Sequence, residues 1–473
     1  MAPRKVQFCA DSWTGLGPEL LLVMDRTAPR TLRTQLEEGL RAAIRSGRLE
    51  PGERVPSSRE LARAIGVSRG LVTECYQQLS GEGYLYSEAG SATRVAGAAS
   101  TRPTSTPAAP LQAALAVDFV AGLPDLASFP GSDWLWSQRE AYRQAPTGLA
   151  GYGDPHGAGT LRTVVAAYCR RVRATAADAS RVVICNGFAQ GLSLTLEALA
   201  NRGVRRVAFE DPGYDQTVED TARRAGVQAT PVPVDDRGIN VETLASSNAQ
   251  AVVVTPAHQW PTGVVLTADR RRDLIDWARE TQAFVVEDDY DAEFRYDRSP
   301  VGSLQGLAPD LVVTIGTVSK SLAPALRLGW LLCPGDLVEP ITSLKAIADR
   351  GTPTLDQLAL AQLIQSGRFD RHLRRMRTVY ARRRDTLVTT LAALAPRVGL
   401  SGLAAGFHAV AHLAADAEED SVVEAARQRG VGLYGMSRHR TSGSTRPAQL
   451  VLGFGNLTDR AIRAGLHDVA DLL

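Results

Sequence analysis

Short apolar runs alternate with helical patterns along most of this chain, and that alternation constrains the fold more than any other feature. Val182–Cys185, Arg206–Phe209, Ala251–Thr255 and Phe284–Glu287 are stretches rich in β-branched residues. Between them lie segments such as Leu192–Leu199 and Arg270–Glu280, whose apolar residues recur at helical spacing. Parallel strands need long crossovers, usually helical, and strands covered on both faces read as unbroken apolar runs. The expectation is an α/β domain with a mainly parallel sheet and a smaller C-terminal subdomain.

At 473 residues the chain suggests two to three domains. The stretch Gly97-Ala-Ala-Ser-Thr-Arg-Pro-Thr-Ser-Thr-Pro-Ala-Ala-Pro110 has small residues and prolines with no apolar period, a linker composition. It divides the chain into a leader (1–24), a compact first unit (25–96), a linker (97–115) and a large domain (116–473). Lys+Arg 53 against Asp+Glu 51 leaves a formal charge of +2, so net charge names no partner. No apolar run approaches the roughly 20 residues that span a bilayer. The first residues lack the apolar core of a secretory signal. The five cysteines are scattered without a Cys-x-x-Cys pair. Reduced thiols, a cytoplasmic location and no metal site are therefore expected.

The first unit opens with Leu32, Leu36, Leu40 and Ile44 at a spacing of four, one helix with a buried stripe. Pro56 to Leu79 then reads as helix, tight turn, helix. Ser57 or Ser58 caps the first helix, Gly66 makes the turn and Ser68 caps the second. Leu61, Ile65, Val67, Val72, Tyr76 and Leu79 are the expected shared core. The segment Glu82–Val95 alternates around Gly90, as a two-stranded wing does. A helix beginning Ser68-Arg69-Gly70 presents backbone N–H groups and an arginine to phosphates and base edges. The competing reading is a small helical protein-interaction module.

In the large domain, Leu311–Ile315 reads as a buried strand that opens into Gly316-Thr-Val-Ser-Lys-Ser-Leu-Ala-Pro-Ala-Leu-Arg-Leu-Gly329. A lysine desolvated near another cation loses its proton more easily and can attack an aldehyde. Pyridoxal 5′-phosphate (PLP) is held in this way, with a carboxylate on its pyridine nitrogen. Cys185-Asn-Gly-Phe-Ala-Gln-Gly191 follows a strand and opens a helix, so its free amides suit a phosphate. Tyr214, in Asp211-Pro-Gly-Tyr214, suits stacking on a flat heteroaromatic ring. Thr255-Pro-Ala-His-Gln-Trp-Pro-Thr-Gly263 and Glu287-Asp-Asp-Tyr-Asp291 end two further strands, where open α/β sheets bind ligands. Clustered carboxylates need a cation: a protonated pyridine nitrogen, or magnesium, although the chain lacks a Gly-x-x-x-x-Gly-Lys-Ser/Thr loop. Arg327 suits bidentate phosphate binding.

Two resemblances follow from these motifs. Residues 31–95 resemble GntR-type winged helix-turn-helix domains in Pro-Ser-Ser-Arg-x-Leu-Ala, Gly-Val-Ser-Arg and Glu-Gly-Tyr-Leu. That implies double-stranded DNA as a partner, contacted by Arg59, Ser68, Arg69 and Gly70, with Gly90, Ser91 and Thr93 in the wing. Gly70 and Leu71 stand where the family often has a polar residue, so base readout is expected to differ. The ordered motifs of the large domain resemble fold type I PLP aminotransferases. Residues 31–473 together resemble the MocR/GabR family of bacterial transcriptional regulators.

The resemblance implies that Lys320 carries PLP as a Schiff base and that Asp288 pairs with the pyridine nitrogen, with Asp289 the alternative. It also implies that Tyr290 bonds the ring hydroxyl, Tyr214 stacks on the ring, and Gly187, Phe188, Ala189, Thr317, Ser319 and Arg327 surround the phosphate. Trp260 stands where aminotransferases usually place a cofactor-touching asparagine, which puts efficient transamination in doubt. His258 and Gln259 are candidates to replace its hydrogen bonds, and His408 is expected as a packed wall residue. Arg438 is the first candidate for an effector carboxylate, with Arg440 and Arg446 as alternatives. The implied assembly is a head-to-tail homodimer, in which Tyr152 reaches the partner's site. The implied function is transcription regulation sensed through PLP or an amine effector, with at most weak transaminase activity. The alternative is a working aminotransferase with an appended DNA-binding domain.

Overall fold

The computed structural model describes residues 22, 24–87, 92–96, 115–144, 151–296 and 302–473. The chain forms two compact units, Met1–Gln112 and Ala113–Leu473. Most of the expected linker, with Gly90 and Ser91 of the wing, lies outside the described residues.

In the first unit three helices, α1 (Leu32–Arg45), α2 (Ser58–Ile65) and α3 (Arg69–Gly81), precede an antiparallel pair, β1 (Leu85–Tyr86) and β2 (Arg94–Val95). Ser57 closes a capping box with Glu60, and Gly66 ends α2 in the left-handed region at φ 68°. Ser68 caps α3 by accepting from the Leu71 amide. Such caps satisfy amides that a helix start leaves unpaired. Leu36, Leu40, Ile44, Leu61, Ile65, Val72, Tyr76 and Leu79 are buried together, while Val67 is only partly buried. Leu22 and Met24 belong to the same core, so the unit begins before residue 25, where the sequence pattern placed its edge. The physical reason is Gly39: a Cβ there would meet Leu22 Cδ2 at 2.7 Å, so the bare backbone of α1 admits that side chain.

The second unit contains β3 (Val117–Asp118), β4 (Val182–Cys185), β5 (Arg206–Asp211), β6 (Gln228–Asp235), β7 (Gly238–Ile239), β8 (Ala251–Val254), β9 (Phe284–Asp289), β10 (Val312–Thr317) and β11 (Gly329–Leu332). They are followed by β12 (Gly399–Ser401), β13 (His408–His412), β14 (Val431–Gly432) and β15 (Gln449–Gly453). Its helices include α4 (Gly131–Gln144), α5 (Gly159–Arg173), α6 (Phe188–Asn201), α7 (Gln216–Arg224), α8 (Val241–Ser246), α9 (Ala268–Thr281), α10 (Gly335–Ala348), α11 (Thr354–Gln365) and α12 (Arg368–Leu394).

The main sheet has the order β4-β11-β10-β9-β8-β5-β6-β7. From β10 through β6 the neighbours run parallel, and β11 is antiparallel to both β10 and β4. Successive residues of a strand face opposite sides. Val286, Val313 and Ile315 accordingly pack with Leu192, Leu196 and Ile341 on one side, and Val285, Val312 and Val252 with Leu244, Leu274 and Ile275 on the other. The antiparallel sheet β12-β13-β15 forms the smaller part. Beside it β14 pairs with β3, so this part borrows its first strand from residues just after the linker.

Candidate functional site

The carboxyl ends of β9 and β10 lie side by side, with Ile315 opposite Asp288 and Gly316 opposite Asp289. The chain beyond β10 therefore delivers Lys320 beside the acidic end of β9. Lys320 Nζ donates to Gly122 O at 2.5 Å. Burial pushes the lysine's pKa down, against the opposing pull of Asp288 and Asp291. A lysine so placed is easier to deprotonate and so to use as a nucleophile.

The two adjacent aspartates have different partners. Asp289 is gripped by Arg173, whose Nε and Nη2 donate to its two oxygens at 2.7 and 2.8 Å. Asp288 accepts a short hydrogen bond from the Tyr214 hydroxyl through Oδ2. Its Oδ1 is buried with no hydrogen-bond partner among the described residues. Burial pushes the Asp288 carboxyl up to about 8, with the Tyr214 bond opposing and Asp289 adding to the rise. An unpartnered buried carboxylate oxygen is costly, and a cationic ring nitrogen is a group that would satisfy it.

The turn before α6 forms the next wall. Gly187 adopts φ 82°, and the first intrahelical bond runs from the Gly191 amide to Gly187 O. The amides of Phe188, Ala189 and Gln190 thus precede it, available to an anion as at any helix start. Arg327 reaches this turn and donates from Nη2 to Asn186 O at 2.6 Å. The positive φ favours glycine at 187, and a Cβ there would crowd that guanidinium at 3.2 Å. Thr317 and Ser319 meet through the Ser319 amide, which donates to Thr317 Oγ1 at 3.1 Å. A turn with an arginine and free amides beside a buried lysine and carboxylate fits the phosphate, aldehyde and pyridine nitrogen of PLP.

Other expected residues meet protein partners. Tyr214 stacks on Phe188, with ring centroids 5.0 Å apart and planes 20° apart. The Tyr290 hydroxyl donates to His258 O at 2.9 Å. His258 Nδ1 lies 2.7 Å from Asp291 Oδ2, and the Gln259 amide nitrogen donates to Pro212 O and Glu210. Both side chains expected to replace the missing asparagine are therefore engaged within the protein. His408 is buried, with Nε2 3.1 Å from Pro261 O. The potential ligand atoms of His258, Asp291 and His408 lie within 4.8 Å of one another, but these hydrogen bonds already occupy the group. Trp260 packs edge-on against Tyr290, His408 and His439, at centroid distances of 6.3, 5.0 and 5.5 Å.

Among the effector candidates, Arg440 bonds Ser444 O, Pro447 O and Gln449 Oε1, and Arg446 bonds Ala415 O and Glu418. Arg438 is exposed, its guanidinium 5.3 Å from the centre of the Tyr434 ring. Tyr152 is 76% exposed, with the Arg350 guanidinium over its ring. Gly122 and Arg173 lie outside every motif, in distant parts of the chain, while Asn186 and Asp291 lie within the quoted motifs without a role having been assigned to them.

In the first unit, Arg59, Ser68, Arg69 and Gly70 are exposed. Two of the three arginines of α1 are paired with glutamates, Arg33 with Glu37 and Glu74 and Arg41 with Glu37 and Glu82, while Arg45 donates to the Tyr84 hydroxyl. Among the described residues no ion pair involves Arg59 or Arg69. A groove of about 480 Å³ is lined by Arg54, Ser58, Thr73, Gln77 and Thr93. Thr73 and Gln77 follow Arg69 by four and eight positions on α3, a spacing whose significance the motif did not reveal.

Residues 32–95 match the family described as bacterial regulatory proteins, gntR family, and residues 128–446 match aminotransferase class I and II. The chain is 32% identical over 461 residues to the HTH-type pyridoxine biosynthesis transcriptional regulator PdxR of Corynebacterium glutamicum, covering 96% of this chain and 98% of that one. It is 31% identical over 471 residues to the probable rhizopine catabolism regulatory protein MocR of Rhizobium meliloti, covering 95% of each. Among solved structures, the multiple substrate aminotransferase of Thermococcus profundus superposes with a TM-score of 0.69 at 22% identity, over 76% of this chain and 91% of that one. The same fold appears in the α-aminoadipate aminotransferase LysN of Thermus thermophilus, with a TM-score of 0.67 at 23% identity over 76% of this chain and 92% of that one. With a gntR-type reader, an aminotransferase-type domain and full-length similarity to both regulators, the chain belongs to the MocR family of HTH-type transcriptional regulators.

Proposed function

We propose that this regulator binds operator DNA through α3 and the wing, and binds PLP in its aminotransferase-like domain as the sensed signal or as the handle for an amine. The observation that carries the cofactor reading is the unpartnered, buried Asp288 Oδ1 beside a lysine of depressed pKa. Lys320 would hold the aldehyde end, Asp288 the pyridine nitrogen, and Gly187, Phe188, Ala189, Thr317, Ser319 and Arg327 the phosphate. Tyr290 would exchange its present hydrogen bond to His258 O for one to the ring hydroxyl, and Tyr214 would stack on the ring. When bound, PLP supplies an aldehyde carbon that a lysine amine or an incoming amine can take as partner.

Regulation requires that the two ligand states differ in DNA affinity, because a ligand that binds both shapes equally shifts nothing. A homodimer is part of the proposal. Exposed Tyr142 and Leu355 line one shallow groove, and exposed Tyr152 is available to a partner. Arg438, the outward-facing arginine of its group, would receive an effector carboxylate. Trp260 favours sensing over turnover, since its indole fills the place of a hydrogen-bonding amide.

The deciding experiment is a gel shift on DNA upstream of this gene and its neighbours, using protein stripped of PLP and reloaded, at fixed salt. A specific shift that changes with PLP supports the regulator with PLP as signal. A specific shift indifferent to PLP points to a separate amine. No specific shift, with transamination by the same preparation, hands the chain to the enzyme reading. Lys320→Ala is expected to remove the absorbance band that depends on the cofactor's covalent link to the lysine, and a retained band would overturn that assignment.

A further inference from the structure

Behind the turn that opens α6 lies a charged group that no motif marks. Lys345, on α10, has a fully buried side chain, and its Nζ donates to Asp349 Oδ2 at 2.7 Å and to Gln190 Oε1 at 3.2 Å. The same Asp349 oxygen accepts from Gln190 Nε2 at 2.7 Å and from Asn186 Nδ2 at 2.9 Å. Gln190 Oε1 also accepts from the Asn186 amide at 2.8 Å. The second Asp349 oxygen accepts from the Gly351 amide at 2.8 Å.

Asn186 is thereby held at three points. Its amide and side chain bond the Gln190–Asp349 pair behind it, and its carbonyl accepts from Arg327 in front. The next residue is Gly187, whose φ of 82° turns the chain into α6. Where Arg327 stands, and where the first amides of α6 point, thus depends on the setting of Asn186. Burial tends to raise the Asp349 pKa, but the Lys345, Gln190 and Gly351 bonds outweigh it and hold the carboxyl below its ordinary range. A buried lysine is costly unless paired and hydrogen-bonded, so an apolar residue at 345 would be the simpler choice for packing alone.

We infer that the Lys345–Asp349 pair is a positioning device for the phosphate subsite, acting through Asn186, and that it makes the domain selective for the phosphorylated form of its cofactor. This rests on the PLP reading above. The two residues touch no ligand themselves; they set the Asn186 carbonyl that orients Arg327 and the turn that presents the α6 amides.

The test compares full-length protein with Lys345→Met and Asn186→Ala, titrated with PLP, with pyridoxal, which lacks the phosphate, and with inorganic phosphate as competitor. The unaltered protein should prefer PLP to pyridoxal. In both variants PLP affinity should fall about tenfold or more, pyridoxal affinity should stay within about twofold, and competition by phosphate should weaken in parallel. Asn186→Ala keeps the buried ion pair, so it decides the question if Lys345→Met does not fold. An unchanged PLP-to-pyridoxal ratio in folded variants overturns the positioning role while leaving the cofactor reading intact. An equal loss for both ligands does the same, because a general structural role predicts it. Failure of the unaltered protein to bind PLP overturns the cofactor reading, and this inference with it.

Discussion

Arg173 holds Asp289 through two hydrogen bonds of 2.7 and 2.8 Å, and this grip separates the roles of two neighbouring carboxylates. Asp289 is neutralised from α5, whereas Asp288, one residue earlier on β9, keeps an unpartnered buried oxygen. The sequence left the choice between them open by one position. The arginine that separates them lies 116 residues away along the chain.

Asp288→Asn should therefore weaken PLP binding by about 10- to 100-fold, the scale of a lost charge-assisted hydrogen bond, without unfolding the protein. Asp289→Asn should act chiefly on stability, costing on the order of a few kcal/mol, because it removes the charge of a carboxylate paired with a buried guanidinium. Cofactor titration and thermal melting of the two variants separate the effects. Equal loss of affinity with equal stability would refute the division.

Stability of the cofactor-free protein should depend on pH through the same residue. The folded Asp288 carboxyl sits at about 8, raised from its ordinary 3.8 by burial. The folded state thus binds the proton more tightly than the unfolded chain. That contribution is fully present below about 3.8 and is lost as pH rises through about 8. Asp288→Asn should flatten this part of the Tm-against-pH curve and raise Tm at pH 8. A wild-type curve that the variant reproduces would contradict the assignment.

Trp260→Asn restores an amide at the position that aminotransferases usually fill with one. Release of the indole from Tyr290, His408 and His439 should lower Tm by several degrees, and transamination of an amino donor should rise at least about tenfold. Steady-state turnover with amino acids and keto acids checks this. A wild-type protein already as fast as the variant would support the enzyme reading.

Arg69 stands exposed at the start of α3, behind the Ser68 cap. Arg69→Ala should weaken operator binding by about 1–3 kcal/mol and lower the salt slope, while Arg33→Ala should do little, since Glu37 and Glu74 already neutralise Arg33. Gel shifts at two salt concentrations test both variants. A larger effect at Arg33 would move the DNA-binding face away from α3.

Local features were legible in proportion to how local their physics is. Ser57, Gly66 and Ser68 were readable because helix caps and left-handed turns depend on neighbours within a few residues. The strands β4, β5, β8 and β9 were readable because burial on both faces demands continuous apolar residues. Gln259 shows the limit. Its motif suggested a cofactor contact, but its side chain is taken by Glu210 and Pro212 O, partners that only folding brings near.

Sequence by itself determined the two-unit plan, the α/β class and the winged-helix reader, since periodicity, capping and motif order are written along the chain. Tertiary structure decided which aspartate keeps an unpartnered oxygen, which arginines pair with glutamates among the described residues, and how Lys345 and Asp349 stand behind Asn186. Those relations depend on hydrogen bonds between residues far apart in the chain, and a pattern of neighbours does not encode such distances.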